Sequence, residues 1–190
     1  MARSGLLREI ERLDVAAYAA VARTPTPSLD AALARLSAAA DHSKLWLGVA
    51  GALALAGPRG RRAAVGGLAS IGVASAVVNV AVKPIWRRRR PDRALQEVPA
   101  ERHVPMPGST SFPSGHSASA FAFATGVAHT WPAAGIPIRA LAALVAYSRV
   151  HTGVHYPGDV IAGSLTGGAL AHFTTQALDR RRRRDRPAQG

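Results

Sequence analysis

Three short stretches of this chain gather residues able to handle an anionic group. "KPIWRRRRP" runs from Lys83 to Pro91, "SFPSGHS" from Ser111 to Ser117, and "SRVHTGVHYPGD" from Ser148 to Asp159. In the third, Arg149 precedes His155 by six positions and Asp159 follows it by four, with Pro157 placed to start a helix whose first turn holds the acid. An acid that accepts the Nδ1 proton of His155 leaves Nε2 as a free lone pair, the form a nucleophilic imidazole needs. An acid in a first turn also simply complements a helix N-terminus, and both readings stay open for Asp159.

The second stretch sets Pro113, Ser114 and Gly115 ahead of an apolar run. Pro113 suits the first turn of a helix, and Ser114 and Gly115 leave backbone N–H groups free at its positive end, which makes an anion site. Gly115 lets a ligand approach the backbone, and His116 sits where it can hand a proton to whatever is bound. Alone, the stretch also reads as a helix cap with an incidental histidine. The first stretch separates Lys83 from Arg90 by six residues; alone, a basic run beside a span is a topology signal. Together the blocks supply three cations (Lys83, Arg90, Arg149), a helix-terminal nest, an acid and an oriented imidazole. That inventory fits phosphoryl transfer, in which cations stabilise charge on the equatorial oxygens while His155 attacks in line. No metal or cofactor is needed for the charge balance.

These blocks need a scaffold that brings them to one place. At 190 residues the chain fits one folded unit. Hydrophobic residues make up 48% of it, yet the mean hydropathy is only +0.07, because apolar runs alternate with arginine clusters. The net charge of +13 is concentrated just beyond those runs, in "RRRRPDR" (Arg87 to Arg93) and "RRRRRDR" (Arg180 to Arg186). This is the pattern of spans meeting water rather than of a nucleic-acid face. The absence of cysteine excludes disulfides, thiol catalysis and cysteine-ligated metals. The first residues carry acids and no uninterrupted apolar core, unlike a cleaved signal peptide.

Residues 5–23 place Leu6, Leu7, Ile10, Leu13, Ala17 and Val21 at helical spacing, an amphipathic helix that "TPTPSLD" breaks. Ser28 or Asp30 is placed to cap a second amphipathic stretch to about Ala40. The pair either packs on the rest of the protein or lies on a membrane surface. Five candidate spans follow: Leu45–Gly57, Ala64–Val82, Ser117–Gly135, Ile138–Val150 and Val160 to about Leu178. The first and fourth are short against the ~20 residues that cross a bilayer and need their flanks, Ile136 and Pro137 for the fourth. The expected organisation is interfacial helices over 1–40, a membrane bundle of about five transmembrane helices over 41–178 and a basic tail over 179–190. The fold class is all-α, with a soluble five-helix bundle as the alternative. With five spans, the loops Lys83–His116 and His151–Gly158 share one side, so every block reaches the same face. "GSLTG" (Gly163 to Gly167) allows close helix contact.

The blocks read as K-x6-RP, PSGH and SR-x5-H-x3-D in order, and on them the chain resembles the type 2 phosphatidic acid phosphatase superfamily. The motifs cover roughly residues 83–159, and the helical pattern extends the likeness to about 28–178. The resemblance implies a metal-independent, multi-pass lipid phosphatase in which Lys83, Arg90, Ser114, Gly115 and Arg149 hold phosphate. It implies that His155 becomes a phosphohistidine, that Asp159 orients it, and that His116 protonates the leaving group and then activates water. Expected partners are a lipid phosphate and membrane lipids, with no nucleic acid, no cofactor and no metal; the oligomeric state is open. Candidate substrates are polyprenyl pyrophosphates such as undecaprenyl pyrophosphate, phosphatidate, phosphatidylglycerol phosphate and prenyl-linked sugar phosphates. The chain is similar to small actinobacterial members and to phosphatase parts fused to a diacylglycerol-kinase-like domain.

Two rivals remain at this stage. Vanadium-dependent haloperoxidases share the superfamily's pocket but are expected to be larger and water-soluble. A non-catalytic protein that binds anionic lipid through its arginines needs no His155. Neither GxSxG nor GxxxxGK occurs, which removes serine hydrolase and nucleoside-triphosphatase readings. Opposite the blocks lie "GPRGRR" (Gly57 to Arg62) and the terminal arginines, which places the C-terminus in the cytoplasm and the active site outside; Arg87, Arg88 and Arg89 on the block side oppose that reading. His151 is expected to support the site from behind, and His103, in the connector from Asp92 to Ser111, either lines the substrate entrance or is a solvated loop residue. His42, His129 and His172 receive no role.

Overall fold

A computed structural model of the chain describes residues 2–185, and among these it shows helices and loops with no strand. Seven α-helices follow in order: α1 Ala2–Arg23, α2 Pro27–Ala39, α3 Lys44–Leu55, α4 Pro58–Ala76, α5 Gly115–Thr130, α6 Pro132–His151 and α7 Pro157–Arg184. Proline opens α2, α4, α6 and α7, where its missing N–H would have no partner in any case. A π-helical segment, Val77–Val82, carries α4 on to Lys83.

The alanine-rich α5 is the central helix. Ala118, Ala120, Ala122, Phe123, Ala124 and Val127 are buried, and α4, α6 and α7 pack around them. Trp46 of α3 meets Phe123 with ring centroids 5.2 Å apart. The close approach of α7 depends on Gly163 and Gly167, where an added Cβ would collide with the carbonyls of Ser114 and Ala118. A methyl on either glycine would push the two backbones apart, a cost of about 1–3 kcal/mol. This contact begins at Ser114, so it also sets the start of α7 beside the start of α5.

Helix directions then sort the loops. The α3–α4 turn meets the α5–α6 turn, where Arg59 Nε donates to the Thr130 carbonyl at 3.3 Å and its guanidinium lies 5.7 Å from the Trp131 ring centroid. His129 pairs with Asp179 at 2.7 Å at this same end. The α2–α3 turn, the long loop after Lys83 and the α6–α7 turn gather at the other end.

Two helical stretches, Pro58–Val82 and Pro132–His151, are long and apolar enough to cross a membrane. At 12 and 16 residues, α3 and α5 are shorter than the ~20 a bilayer core requires. Five full spans therefore do not follow from helix length. The α5–α6 boundary falls at Trp131, inside the stretch expected as one span to Gly135, because Pro132 starts α6 and Pro137 is accommodated inside it. Asp179 to Arg184, expected as tail, form the last turns of α7, while 186–190 lie outside the described residues.

The N-terminal helices divide between the two readings offered for them. Tyr18 and Ala22 of α1 are buried with Val98 and Val150, whereas Leu6, Leu7, Ile10 and Leu13 are exposed. Thr26, not Ser28 or Asp30, precedes α2 as its cap residue. Asp30 is buried instead, and accepts from Arg102 Nε at 2.9 Å and from Thr26 Oγ1 at 2.7 Å. Arg102, fully buried, also donates to the carbonyls of Val21, Ala22 and Thr24. A buried guanidinium with that many acceptors ties the α1–α2 turn to the long loop.

Candidate active site

Asp159 lies in the first turn of α7 and is completely buried. Its Oδ2 accepts from the Tyr156 N–H at 2.9 Å and from the Ser111 hydroxyl, and its Oδ1 accepts from Arg88 Nη1 at 3.0 Å. His155 Nδ1 stands 3.5 Å from the same Oδ2. The acid thus serves both as helix-start partner and as neighbour of the imidazole. Burial opposes its ionisation, but the hydrogen bonds from His155, Ser111 and Tyr156 win and hold its pKa below the ordinary carboxylate value.

The other ring nitrogen, His155 Nε2, is 3.1 Å from Arg90 Nη1. A guanidinium can only donate, so that contact requires a lone pair on Nε2 and places the ring proton on Nδ1. Burial, then the charges of Arg90 and Arg149, outweigh Asp159 and lower the His155 pKa to about 4, so the ring is neutral at physiological pH. Arg90 is held by the carbonyls of Ser109, Val154 and Thr110. Lys83 Nζ donates to Ser109 Oγ at 3.2 Å, and burial followed by the Arg90 charge lowers its pKa. The π-helical segment ends where Lys83 N–H bonds the Val78 carbonyl, five residues back, and this wider turn aims the lysine at the start of α5.

At that start the structure differs from expectation. Pro113 precedes the helix, Ser114 is its cap, and Gly115 and His116 are its first residues. The Ser114 N–H is spent on the Asp159 carbonyl at 2.9 Å, and its hydroxyl accepts from Ser117 N–H at 3.3 Å. The free donors at the helix terminus are those of Gly115 and His116, so Ser114 shapes the nest rather than offering its own N–H. Lys83 Nζ lies 3.6 Å from where a Gly115 Cβ would sit, and glycine keeps that approach open.

His116 Nε2 is 2.7 Å from Asp41 Oδ1. Burial, then the Arg149 charge, outweigh this carboxylate and lower the His116 pKa to about 4. A phosphate dianion near Arg149 would offset the second effect and so favour protonated His116. Arg149 is buried; its Nη1 donates to Ser37 Oγ at 2.6 Å and lies 3.9 Å from Asp41, and its Nε has no partner among the described residues. Asp41 belongs to a strained turn. The next two residues, His42 and Ser43, have φ of 53° and 60°, a left-handed conformation costing roughly 1–3 kcal/mol for each non-glycine residue.

All eight residues singled out from the sequence gather at this end of the bundle, and three of them, Lys83, Gly115 and His116, border a cavity of about 210 Å³. Several partners were not legible in advance. Arg88, taken for a topology charge, bridges Asp159 to Asp14 of α1 at 2.6 Å and lies 4.1 Å from the Tyr156 ring centroid. Asp14 also accepts from the Gly158 N–H. Ser111 opened a quoted block without a role, and Asp41, Ser37 and Ser109 carried no local signal at all. His151 does not reach the site; it bonds Asp30 at 3.0 Å and fastens α2 to α6. His103 is an exposed loop residue whose ring meets the Val98 carbonyl at 3.0 Å.

Comparison with known proteins adds a family. The model of the PAP2 superfamily matches residues 63–183. Decaprenylphosphoryl-5-phosphoribose phosphatase of Mycolicibacterium smegmatis is 41% identical over 131 residues, 67% of this chain and 67% of that protein. The Mycobacterium tuberculosis protein of the same name is 35% identical over 179 residues, 91% of this chain and 97% of that one. Among solved structures, Aquifex aeolicus LpxE has a TM-score of 0.72 at 23% identity, covering 86% of this chain and 95% of its own. A transmembrane PAP2-type phosphatidylglycerolphosphate phosphatase from Bacillus subtilis has a TM-score of 0.69 at 24% identity, covering 94% and 90%. These two share the fold.

The Arg88 bridge has a kinetic signature. Arg88→Gln removes the cation that offsets the Asp159 charge, which favours the His155 imidazolium, so the acidic limb of kcat/KM should move up by roughly one pH unit. Arg88→Lys should restore part of the shift. A pH–rate profile unchanged in Arg88→Gln would show that the bridge does not act on the imidazole.

Proposed function

Because the chain belongs to the PAP2 superfamily and is a lipid phosphatase of that family, we propose that it hydrolyses the phosphomonoester of a polyprenyl-linked sugar phosphate, without a metal ion, through a phosphohistidine at His155. The observation that carries the reaction is the pair of contacts on that imidazole. Nδ1 faces Asp159 and Ser111, while Nε2 faces Arg90 with its lone pair. The substrate class comes from the two mycobacterial relatives, whose name states decaprenylphosphoryl-5-phosphoribose and of which one matches along 91% of this chain.

The geometry supports the following sequence. Phosphate oxygens replace protein acceptors on Lys83, Arg90 and Arg149 and accept from the N–H groups of Gly115 and His116. His155 Nε2 attacks phosphorus, a P–N bond forms, and the bond to the leaving oxygen breaks as His116 delivers its proton. Asp159 keeps the Nδ1 proton in place and balances the charge that the ring acquires. Water then attacks phosphorus, His116 takes the water proton, and the P–N electrons return to His155 as inorganic phosphate forms. Asp41 favours protonated His116 and competes with the leaving oxygen for it. In this sequence of steps Lys83, Arg90 and Arg149 balance the phosphate charge.

The protein reads as multi-pass, with the site outside. The far end carries Arg59, Arg61, Arg62 and the α7 arginines, and Arg88, engaged with Asp14 and Asp159, no longer counts against that orientation. The exposed Leu6, Leu7, Ile10 and Leu13 suit the outer half of α1 to the membrane surface.

In detergent with chelator present, the protein should release phosphate from lipid phosphates. His155→Ala should lower kcat by on the order of 10³-fold or more, and Arg149→Lys by about 10²-fold. Turnover near the unsubstituted level in His155→Ala would overturn the assignment. In a chain without cysteine, Leu95→Cys in the long loop should react with impermeant maleimide on intact cells and Arg61→Cys should not; the opposite pattern would invert the orientation.

A further inference from the structure

The cavity beside the phosphate end has a second wall that the reaction does not use. Past Lys83, Gly115 and His116 it is lined by His42, Ser43, Ser75, Asn79 and Ser119, with Ala40 as the one apolar side chain. Its 210 Å³ equals the liquid volume of roughly seven waters, more than the five heavy atoms of a phosphate occupy. The remainder is large enough for part of the leaving group.

Ser75, Asn79 and Lys83 recur at four-residue steps along one helix. In a continuous α-helix such a row drifts around the axis, but here the helix passes into π geometry at Val77, which turns the row back. The result is a polar stripe leading from the catalytic lysine down a candidate span. Across the cleft, Ser119 stands one turn beyond His116, with its Oγ 3.4 Å from Ser75 Oγ. Asn79 Nδ2 donates to the Ser75 carbonyl at 2.9 Å, which fixes the amide and leaves Oδ1 and one N–H open. Polar side chains in an otherwise apolar span are a functional signal. At the mouth, the left-handed His42–Ser43 turn brings two more polar side chains to the same space.

This wall carries no lysine, arginine or carboxylate and is rich in hydroxyl and amide groups. A prenyl or acyl chain joined directly to the scissile phosphate would strip water from these groups and return nothing. A leaving phosphate would find no lysine or arginine on this wall. Vicinal hydroxyls match it donor for acceptor. Resting on the substrate reading above, we propose that Ser75, Asn79 and Ser119 form a subsite that reads the hydroxyls of the sugar next to the scissile phosphate.

The test compares two soluble inhibitors of equal charge, ribose 5-phosphate and propyl phosphate, against release of phosphate from a lipid phosphate. In the unsubstituted protein, ribose 5-phosphate should bind at least about 10-fold more tightly, since a site built for hydroxyls rejects an analogue lacking them. Asn79→Leu and Ser119→Ala should each reduce that advantage and leave inhibition by propyl phosphate unchanged. An unchanged propyl phosphate constant also shows that the phosphate end has kept its shape. Equal inhibition by the two compounds, or an advantage that survives both substitutions, would overturn the subsite while leaving the phosphatase intact. Loss of inhibition by both compounds together in both variants would assign these residues to packing. Absence of phosphate release from every lipid would instead sink the functional reading on which the subsite rests.

Discussion

A buried carboxylate is unstable unless donors surround it, and the site is organised around meeting that demand at Asp159. The long loop supplies Ser111 and Arg88, the chain entering α7 supplies the Tyr156 N–H and His155, and the Asp159 carbonyl in turn accepts the Ser114 N–H at the head of α5. Breaking any one of these contacts leaves a buried polar group without its partner. The same requirement reaches the N-terminal helix, because Arg88 completes its own bonding with Asp14. Positions far apart in sequence are therefore tied to one residue, and His155 is tied to it as well.

The knot can form only because the helices beneath it come unusually close. Gly163 and Gly167 let α7 rest on the backbone of α5, which sets the first turn of one beside the cap of the other. The geometry that aims His155 and the geometry that opens the Gly115–His116 N–H groups are consequently one packing arrangement. Around it, Lys83, Arg90 and Arg149 are kept apart by carbonyls and hydroxyls rather than carboxylates, with Asp41 the nearest acid to Arg149. In the proposed reaction, an entering phosphate would supply the negative charge that the cations lack.

Much of this was legible from the chain itself. Helical spacing gave the order of the helices, and residue types at short range gave the imidazole, its acid and the helix-terminal nest. What escaped had no period to reveal it. The partners in Asp14–Arg88 and Asp30–Arg102 are 74 and 72 positions apart, and a run of four arginines conceals which one is engaged. Asp41 and Ser37 look like ordinary residues of a helix end. The π-helical segment is invisible in composition because valine and alanine accept either winding. Ser114 was read for its N–H and serves through its hydroxyl instead, because α7 claims that N–H first. The five-span count rested on hydropathy, and by length and composition only Pro58–Val82 and Pro132–His151 meet that test among the described helices.

The central claim is that the phosphoryl group passes through His155 before it reaches water. Its most direct test is the stereochemical course of hydrolysis, measured on a lipid phosphate made chiral at phosphorus with sulfur and oxygen isotopes. Two successive in-line displacements, one by the imidazole and one by water, should give net retention of configuration. Net inversion would mean that water attacks the substrate directly, and His155 would then have to be reassigned from nucleophile to phosphate ligand or base.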